Sequence, residues 1–286
     1  MIKKIIATMA ILSSLSFAAD CICEEKKEEP KLPRWESKGV SQFQFSQTHF
    51  SNWSAGGESA LSWAALANID VGYHAERYSW LNDLDGFYGR TKVGDNASEK
   101  TQDEVSIKSL FEYKYGIWAN PFISTHFQSQ FTPGYNVVED QKTRVSGFMD
   151  PGYLTESLGW GIKPVKEVNL RFGGAIKQTW ALASTGYADD ASTAKIETFK
   201  NEFGAEIDLS SNYSFDKIFN WTLTYYNFFN FEGVKEVDTS IKNTFTAQLK
   251  EWLTVSFYHE FLYDYDQDES YQTQSNFSLN LMYSIF

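Results

Sequence analysis

The sequence predicts an all-β fold: a single closed antiparallel transmembrane β-barrel of about twelve strands, with short turns at one end and longer loops at the other. Three observations lead there. Hydrophobicity alternates with period two along most of the chain, long and short connections alternate, and aromatic residues reach 17 % although the mean hydropathy is negative. A sheet with one apolar face, one polar face and aromatic girdles combines these properties; a soluble α/β enzyme rarely does.

The chain begins with Lys3 and Lys4 ahead of an apolar run, Ile5 to Phe17, that is too short to span a bilayer. Ser16-Phe17-Ala18 supplies small residues for cleavage after Ala18, with Ala19 as second choice, so residues 1–18 read as a signal peptide. Cys21 and Cys23 follow at once. Asp20 argues against lipidation of Cys21, and two neighbouring cysteines neither staple a domain nor make a structural zinc site. A solvated tail is the expectation, with a dangling or intermolecular disulfide as the alternative in an oxidising compartment. The charged stretch EEKKEEPKLPRWESK closes a periplasmic N-terminal linker assigned to 19–38, leaving 39–286 for the barrel.

From Gly39 the alternation takes over. Leu61, Trp63, Ala65, Ala67, Ile69, Val71 and Tyr73 share one face, while Ser62, Ala64, Asn68, Asp70 and Gly72 share the other. Val105, Ile107, Phe111, Tyr113 and Tyr115 oppose Glu104, Lys108, Glu112 and Lys114; Phe203, Ala205, Ile207 and Leu209 oppose Lys200, Glu202, Glu206 and Asp208. Phe277, Leu279, Leu281, Tyr283 and Ile285 close the chain against Asn276, Ser278, Asn280 and Ser284. Strands are expected near 40–50, 60–74, 78–91, 104–116, 122–133, 152–162, 168–182, 196–211, 219–231, 237–249, 252–265 and 271–285. Their length suits tilted membrane strands of about 9–11 residues. No later stretch is apolar enough for a transmembrane helix, so a membrane protein of this sequence must close as a barrel. Trp80, Trp118, Trp160, Trp221 and Trp252 fall near the short turns, Trp63 and Trp180 near the long loops. Short turns are expected in the periplasm with both termini, which implies a bacterial outer membrane. The terminal Phe286 resembles the aromatic signal read by the barrel-assembly machinery, one position out of the usual phase.

Formal charge is −12, which argues against a nucleic-acid partner and against a polybasic membrane surface. The expected partners are outer-membrane lipid and lipopolysaccharide, with the assembly machinery and periplasmic chaperones during biogenesis; the barrel is expected to be a monomer without cofactors.

Several motifs occur in order: Asn52-Trp53-Ser54-Ala55-Gly56-Gly57, Trp80-Leu81-Asn82 to Tyr88-Gly89, Lys100-Thr101-Gln102-Asp103, Gln130-Phe131-Thr132-Pro133-Gly134-Tyr135, and Ser146-Gly147-Phe148 to Pro151-Gly152-Tyr153. Over roughly 40–185 they resemble an uncharacterised family of Gram-negative outer-membrane β-barrels, a domain of unknown function. Ser129 stands where that family more often has Thr. The resemblance implies the fold and carries no activity. Asn52, Trp53, Gly56, Gly57, Pro133, Gly134 and Tyr135 read as loop-shaping residues, or else as ligand contacts at the outer mouth.

Chemistry has few candidates. Of the histidines His49, His74, His126 and His259, parity turns His126 inward with Ser124 as its same-face neighbour, but no nucleophile motif supports a hydrolase. Asp264-Tyr265-Asp266-Gln267-Asp268-Glu269 starts like a calcium loop without its turn glycine or closing glutamate, so no metal site is assigned. The lumen is the main candidate: Asp70, Asp83, Asp85, Glu104, Glu112, Glu202, Glu206, Asp208, Asp238, Glu260 and Asp264 against Lys108, Lys114, Arg171, Lys177, Lys200 and Lys242, with His126 among them. Facing charges of both signs line a narrow cation-biased pore or form a salt-bridged plug. A passive channel for small polar or cationic solutes is the leading expectation. A closed structural or surface-interaction barrel comes second, and a hydrolase third.

Overall fold

The computed structural model describes residues 34–286 except 52–57, 116–118, 139–140, 184–185, 190–192, 234–236 and 265–267. The expected signal peptide, both cysteines and the linker before Arg34 lie outside the described residues, as does Trp118. The described residues form strands and no helix. In order these are β1 (Trp35–Thr48), β2 (Ala60–His74), β3 (Tyr78–Val93), β4 (Glu99–Tyr113), β5 (Asn120–Ser129), β6 (Gly134–Val138), β7 (Gln141–Ser146), β8 (Gly152–Val165), β9 (Val168–Trp180), β10 (Phe199–Ser214), β11 (Phe219–Asn230), β12 (Val237–Lys250), β13 (Leu253–Asp264) and β14 (Asp268–Ser284).

Twelve of them close one antiparallel barrel in which sequence neighbours pair and β14 returns to β1. The remaining two, β6 and β7, form a separate hairpin between β5 and β8. That hairpin occupies a stretch expected to be loop; its strands are short, and Gln141 to Val145 are exposed on both faces, so no apolar alternation announces it. β1 also begins inside the stretch read as linker. Trp35 pairs with Tyr73, their rings 4.9 Å apart, and this contact carries the strand below Gly39.

The distribution of side chains inverts that of a soluble protein. Phe43, Trp80, Leu84, Ile107, Phe111, Ile123, Leu158, Trp160, Phe172, Phe203, Phe245, Phe257, Phe277 and Leu281 are among the exposed residues, whereas Glu112, Lys177, Glu202, Glu206 and Asp208 are buried. Successive strand residues face opposite sides, so the apolar set forms the outer wall and the charged set lines the lumen. Closure leaves no sheet edge where every strand pair is fully registered, which is what a hydrocarbon environment demands of backbone groups. Ring pairs belt the long-loop end, with Trp63–Tyr88 at 5.8 Å and Trp180–Phe199 at 5.4 Å.

One polar row crosses the outer wall. Asn82, Ser109, Thr125 and Glu156 are successive register partners on β3, β4, β5 and β8. At its lower end Trp80 Nε1 donates to Ser109 Oγ at 2.9 Å, and that hydroxyl donates to Asn82 Oδ1 at 2.8 Å. Glu156 ends the row, exposed and without a hydrogen bond or ion pair among the described residues. It lies four positions from Trp160 at the short-turn girdle and four from Gly152, the partner of Trp180 at the other girdle. A carboxylate midway across an apolar band is costly. Glu156→Leu is therefore expected to raise the unfolding free energy in lipid by about 1–2 kcal/mol, read from denaturant titration in vesicles; an unchanged or lowered midpoint would contradict this placement.

Candidate functional site

The lumen is built by alternation alone: each strand contributes its inward residues, and the register decides which of them meet. Lys108 on β4 stands in one row with Asp83 on β3 and His126 on β5. Its ammonium leaves that wall and donates to Asp208 Oδ2 on β10 at 2.6 Å. β4 and β10 are separated by β5, β8 and β9 in the barrel, so this ion pair crosses the bore. Arg171 on the neighbouring β9 donates to the same oxygen at 3.2 Å. Asp208 thus anchors a tie held from both sides.

Nearer the long loops lies a second cluster. Lys177 on β9 donates to Asp238 on β12 at 2.5 Å, past the two intervening strands, and stands 3.9 Å from Glu202 on β10. Lys200 is 3.2 Å from Glu202, and Asn230 Nδ2 donates to Glu202 Oε1 at 3.0 Å. The Lys177 ammonium also sits 5.3 Å from the Tyr153 ring centroid and 5.8 Å from that of Phe228, which is wholly buried. On the adjoining wall, Glu260 takes Tyr258 Oη at 2.7 Å and Gln274 Nε2 at 2.5 Å, with Lys242 at 3.6 Å.

Between these groups is a vestibule of about 440 Å³, touched by Glu104, Lys108, His126, Tyr153, Lys177, Asp208, Tyr226, Asp238, Lys242 and Gln274. The Lys108–Asp208 tie lies in its wall. Tyr187, from the segment between β9 and β10, closes over it together with Pro151. Burial, then the charges of Asp150 and Asp264, push the Tyr187 phenol up, so it meets the cavity as a neutral hydroxyl.

The structure brings several of the other expected residues into contact with polar neighbours. Asp70 and Asp83 are direct partners, and Asn68 Nδ2 donates to Asp85 Oδ1 at 2.6 Å. Gln128 Nε2 donates to Glu104 at 3.3 Å, Asn120 Nδ2 to Glu112 at 3.0 Å, and Glu206 lies in the vestibule wall. Lys114 is placed differently: one residue beyond β4, it is exposed and donates to the Ala75 carbonyl at 3.0 Å, at the short-turn rim. His126 is inward, but its hydroxyl partner is Ser106 on β4, with Nε2 3.0 Å from Oγ. Ser124, its expected companion, instead bonds Ser157 on β8 at 2.6 Å. His259, on the outer face, bonds Ser275 at 2.9 Å. Ser106, Tyr187, Tyr226 and Phe228 were not singled out from the sequence, although the parity of Thr222 and Thr224 already points Tyr226 and Phe228 inward. Asp264 ends β13 buried, and residues 265–267 of the acidic run lie outside the described residues. Among the described residues no group of three or more His, Cys, Asp or Glu is arranged to hold a metal.

Beyond the lumen, three sequence motifs converge at the long-loop end. Asp103 accepts the Phe131 and Thr132 amides at 2.7 and 2.9 Å and the Thr132 hydroxyl at 2.7 Å. The Lys100 ammonium donates to Asp103 at 3.0 Å, Gln130 Oε1 at 2.8 Å and the Thr132 carbonyl at 2.9 Å. Ser129 Oγ receives the Met149 amide at 2.8 Å and donates to the Pro151 carbonyl at 3.2 Å. Pro133, Gly134 and Tyr135 lead from this clamp into the β6–β7 hairpin, where Lys142 lies 4.1 Å from the Tyr135 ring centroid. Asn52, Trp53, Gly56 and Gly57 lie outside the described residues.

Residues 45–135 match a family of proteins of unknown function, DUF3078. The matched segment runs from β1 through the Lys100–Asp103 clamp to Tyr135. No curated protein matches the chain. Among solved structures, an outer membrane channel from Pseudomonas putida F1 is similar at 12 % identity and TM-score 0.44, over 91 % of this chain and 98 % of that one. The translocator domain of the autotransporter NalP from Neisseria meningitidis gives 11 % identity and TM-score 0.40, over 86 % and 88 %. The CymD monoaromatic hydrocarbon channel gives 9 % and 0.38, over 87 % and 88 %.

Proposed function

We propose that the barrel is a narrow, cation-preferring passive pore of a bacterial outer membrane, exported by its signal peptide and oriented with its short turns and both termini in the periplasm. The observation that carries this reading is the vestibule of about 440 Å³, walled by charged groups in which carboxylates outnumber cations. Such a lining raises local cation concentration and repels anions. Small polar or cationic solutes are the substrates that fit, and the Lys108–Asp208 tie sets the bore.

The tie also favours a second reading, a barrel closed at mid-height that acts through its outer loops. Planar-bilayer recordings distinguish the two. Wild type should carry a small current with a cation-selective reversal potential in a salt gradient. Lys108→Ala removes the member that crosses the bore while Arg171 still pairs Asp208, so conductance should rise several-fold and cation preference should sharpen. No current above background in either protein would sink the pore and leave the closed barrel.

A further inference from the structure

Three rungs of the outer wall stack toward the long-loop end. The lowest sets Ser41 on β1, Ala67 on β2 and Gly86 on β3 side by side, between Tyr283 and Val105. The next carries Leu281, Phe43, Ala65, Tyr88 and Asp103 as successive partners. Above it Trp63 faces Arg90, which faces Lys100 on β4. Three small residues in a row make a trough, and larger side chains stand around it. The result is an outer depression of about 640 Å³, bordered by Phe43, Tyr88, Phe131, Leu281 and Tyr283. Phe131 arrives from beyond β5, past β4. Its amide donates to Asp103 Oδ1 at 2.7 Å, and its ring lies 3.6 Å from where a Cβ on Gly86 would stand. The Lys100–Asp103 and Gln130–Thr132 motifs thus hold one side of the rim.

Cations crown this hollow. Arg90 Nη1 donates to Tyr88 Oη at 3.1 Å, which ties the guanidinium to the rim, and its other nitrogens meet the Ser98 hydroxyl and carbonyl. Lys92, two positions above, is exposed and has no hydrogen bond or ion pair among the described residues. The carboxylate of these rungs, Asp103, is already occupied by two amides, a hydroxyl and Lys100. Glu58 lies against Gly94, and Glu99 pairs with Thr91 on the luminal face; neither bonds Arg90 or Lys92. In a chain of net charge −12, this face therefore presents two cations without a carboxylate directly above an apolar hollow.

Hydrocarbon covers the whole outer wall, so a lipid chain entering the hollow gains packing contacts and no hydrophobic energy. Selection falls to the cations, and a guanidinium beside an ammonium suits phosphate oxygens. An acyl chain below a phosphate matches a hollow below cations.

We propose that this face holds one molecule of lipopolysaccharide, with an acyl chain of its lipid A part in the hollow and a lipid A phosphate on Arg90 and Lys92. The assignment rests on the proposed function only for its orientation, long loops outward, and needs no current through the bore.

The test uses the full barrel refolded in detergent and native mass spectrometry. The probes are bis-phosphorylated lipid A, the same lipid stripped of phosphate, and phosphatidylethanolamine. One lipid A should stay on each barrel, retained at least about tenfold better than either other probe. Lys92→Gln should cut that retention several-fold, and adding Arg90→Gln should erase the preference for phosphate. Ala67→Phe fills the trough without touching a charge; it should also cut retention several-fold, with heat-dependent gel mobility unchanged. Lys142→Gln, on the β6–β7 hairpin, should bind like wild type. Arg90 also ties the turn at Ser98, so Lys92→Gln and Ala67→Phe decide the matter if the double variant misfolds. Equal retention of all probes overturns the site, as does a loss with Lys142→Gln as large as with Lys92→Gln. Retention indifferent to Ala67→Phe overturns it too, leaving a surface anion contact only. A barrel that passes no current yet keeps this charge- and shape-dependent retention loses the pore and keeps the lipid site. Orientation has its own check. With Cys21→Ser and Cys23→Ser, Thr143→Cys should react with a membrane-impermeant maleimide on intact cells; no reaction would overturn the outer-leaflet assignment.

Discussion

Gly159→Val or Gly173→Val should abolish barrel assembly: the refolded protein should lose its heat-dependent gel mobility and its β circular dichroism. Gly159 on β8 and Gly173 on β9 are direct register partners facing the lumen. A Cβ on Gly159 would strike the Phe172 carbonyl and the Gly173 Cα, and one on Gly173 would strike the Leu158 carbonyl and the Gly159 Cα. The obstacle is backbone on both sides, which cannot swing away as a flexible side chain can. Glycine is the residue that permits such a crease, where two strands bend into each other to turn the wall of the barrel. Even alanine should cost about 3 kcal/mol or more, the upper end for overpacking. Gly174→Ala is the control. That position faces outward with nothing within 4 Å, so it should fold like wild type. If Gly159→Val assembled normally while Gly174→Ala behaved as expected, the crease would be misplaced.

Lys177→Met should be the most damaging single change among the luminal charges, lowering the unfolding free energy by about 3–5 kcal/mol. The Lys177 side chain is only 9 % exposed and faces both Asp238 and Glu202, which would be left as buried carboxylates without their shared cation. Adding Asp238→Asn and Glu202→Gln should recover most of the loss, because the penalty comes from the abandoned charges more than from the missing bond. Denaturant titration of the single and combined variants measures this coupling. Additive losses would show that Lys177 acts through its contacts with Tyr153 and Phe228 instead.

The sequence made the wall of this barrel legible and left most of its interior joinery hidden. Alternation along strands such as Leu61 to Tyr73 states which face each residue takes, because the period of two is a local property of extended chain. It does not state which inward residues meet across the bore. Lys108 and Asp208 are 100 residues apart on strands that never pair, and only closure into a ring brings them together. Local neighbours misled in the same way: Ser124 shares a face with His126, yet the register sets Ser106 beside the imidazole. The Lys100–Asp103 and Gln130–Thr132 motifs were visible as words, and their union follows from β4 and β5 being adjacent strands. The β6–β7 hairpin was missed because it buries too little to leave an apolar pattern. Glu156 is the opposite case, a residue whose cost was readable from parity alone once the strand was known.

The meeting of β1 with β14 also has a kinetic side. Every other strand ladder of the barrel joins strands that follow one another in the chain, with the β6–β7 hairpin as the one insertion, and forms as each hairpin or loop closes. The seam instead joins residues such as Ser41 and Tyr283, 242 positions apart. Loop-closure entropy grows by only about 0.6 kcal/mol per doubling of length, so the ring is affordable, but its last joint can form only after the rest of the chain is in place. The shortest ladder of the barrel is therefore also the latest to zip. Thermal breathing should begin there and run downward from Gln44 toward Gly39, making the clasp of the cylinder its natural point of failure.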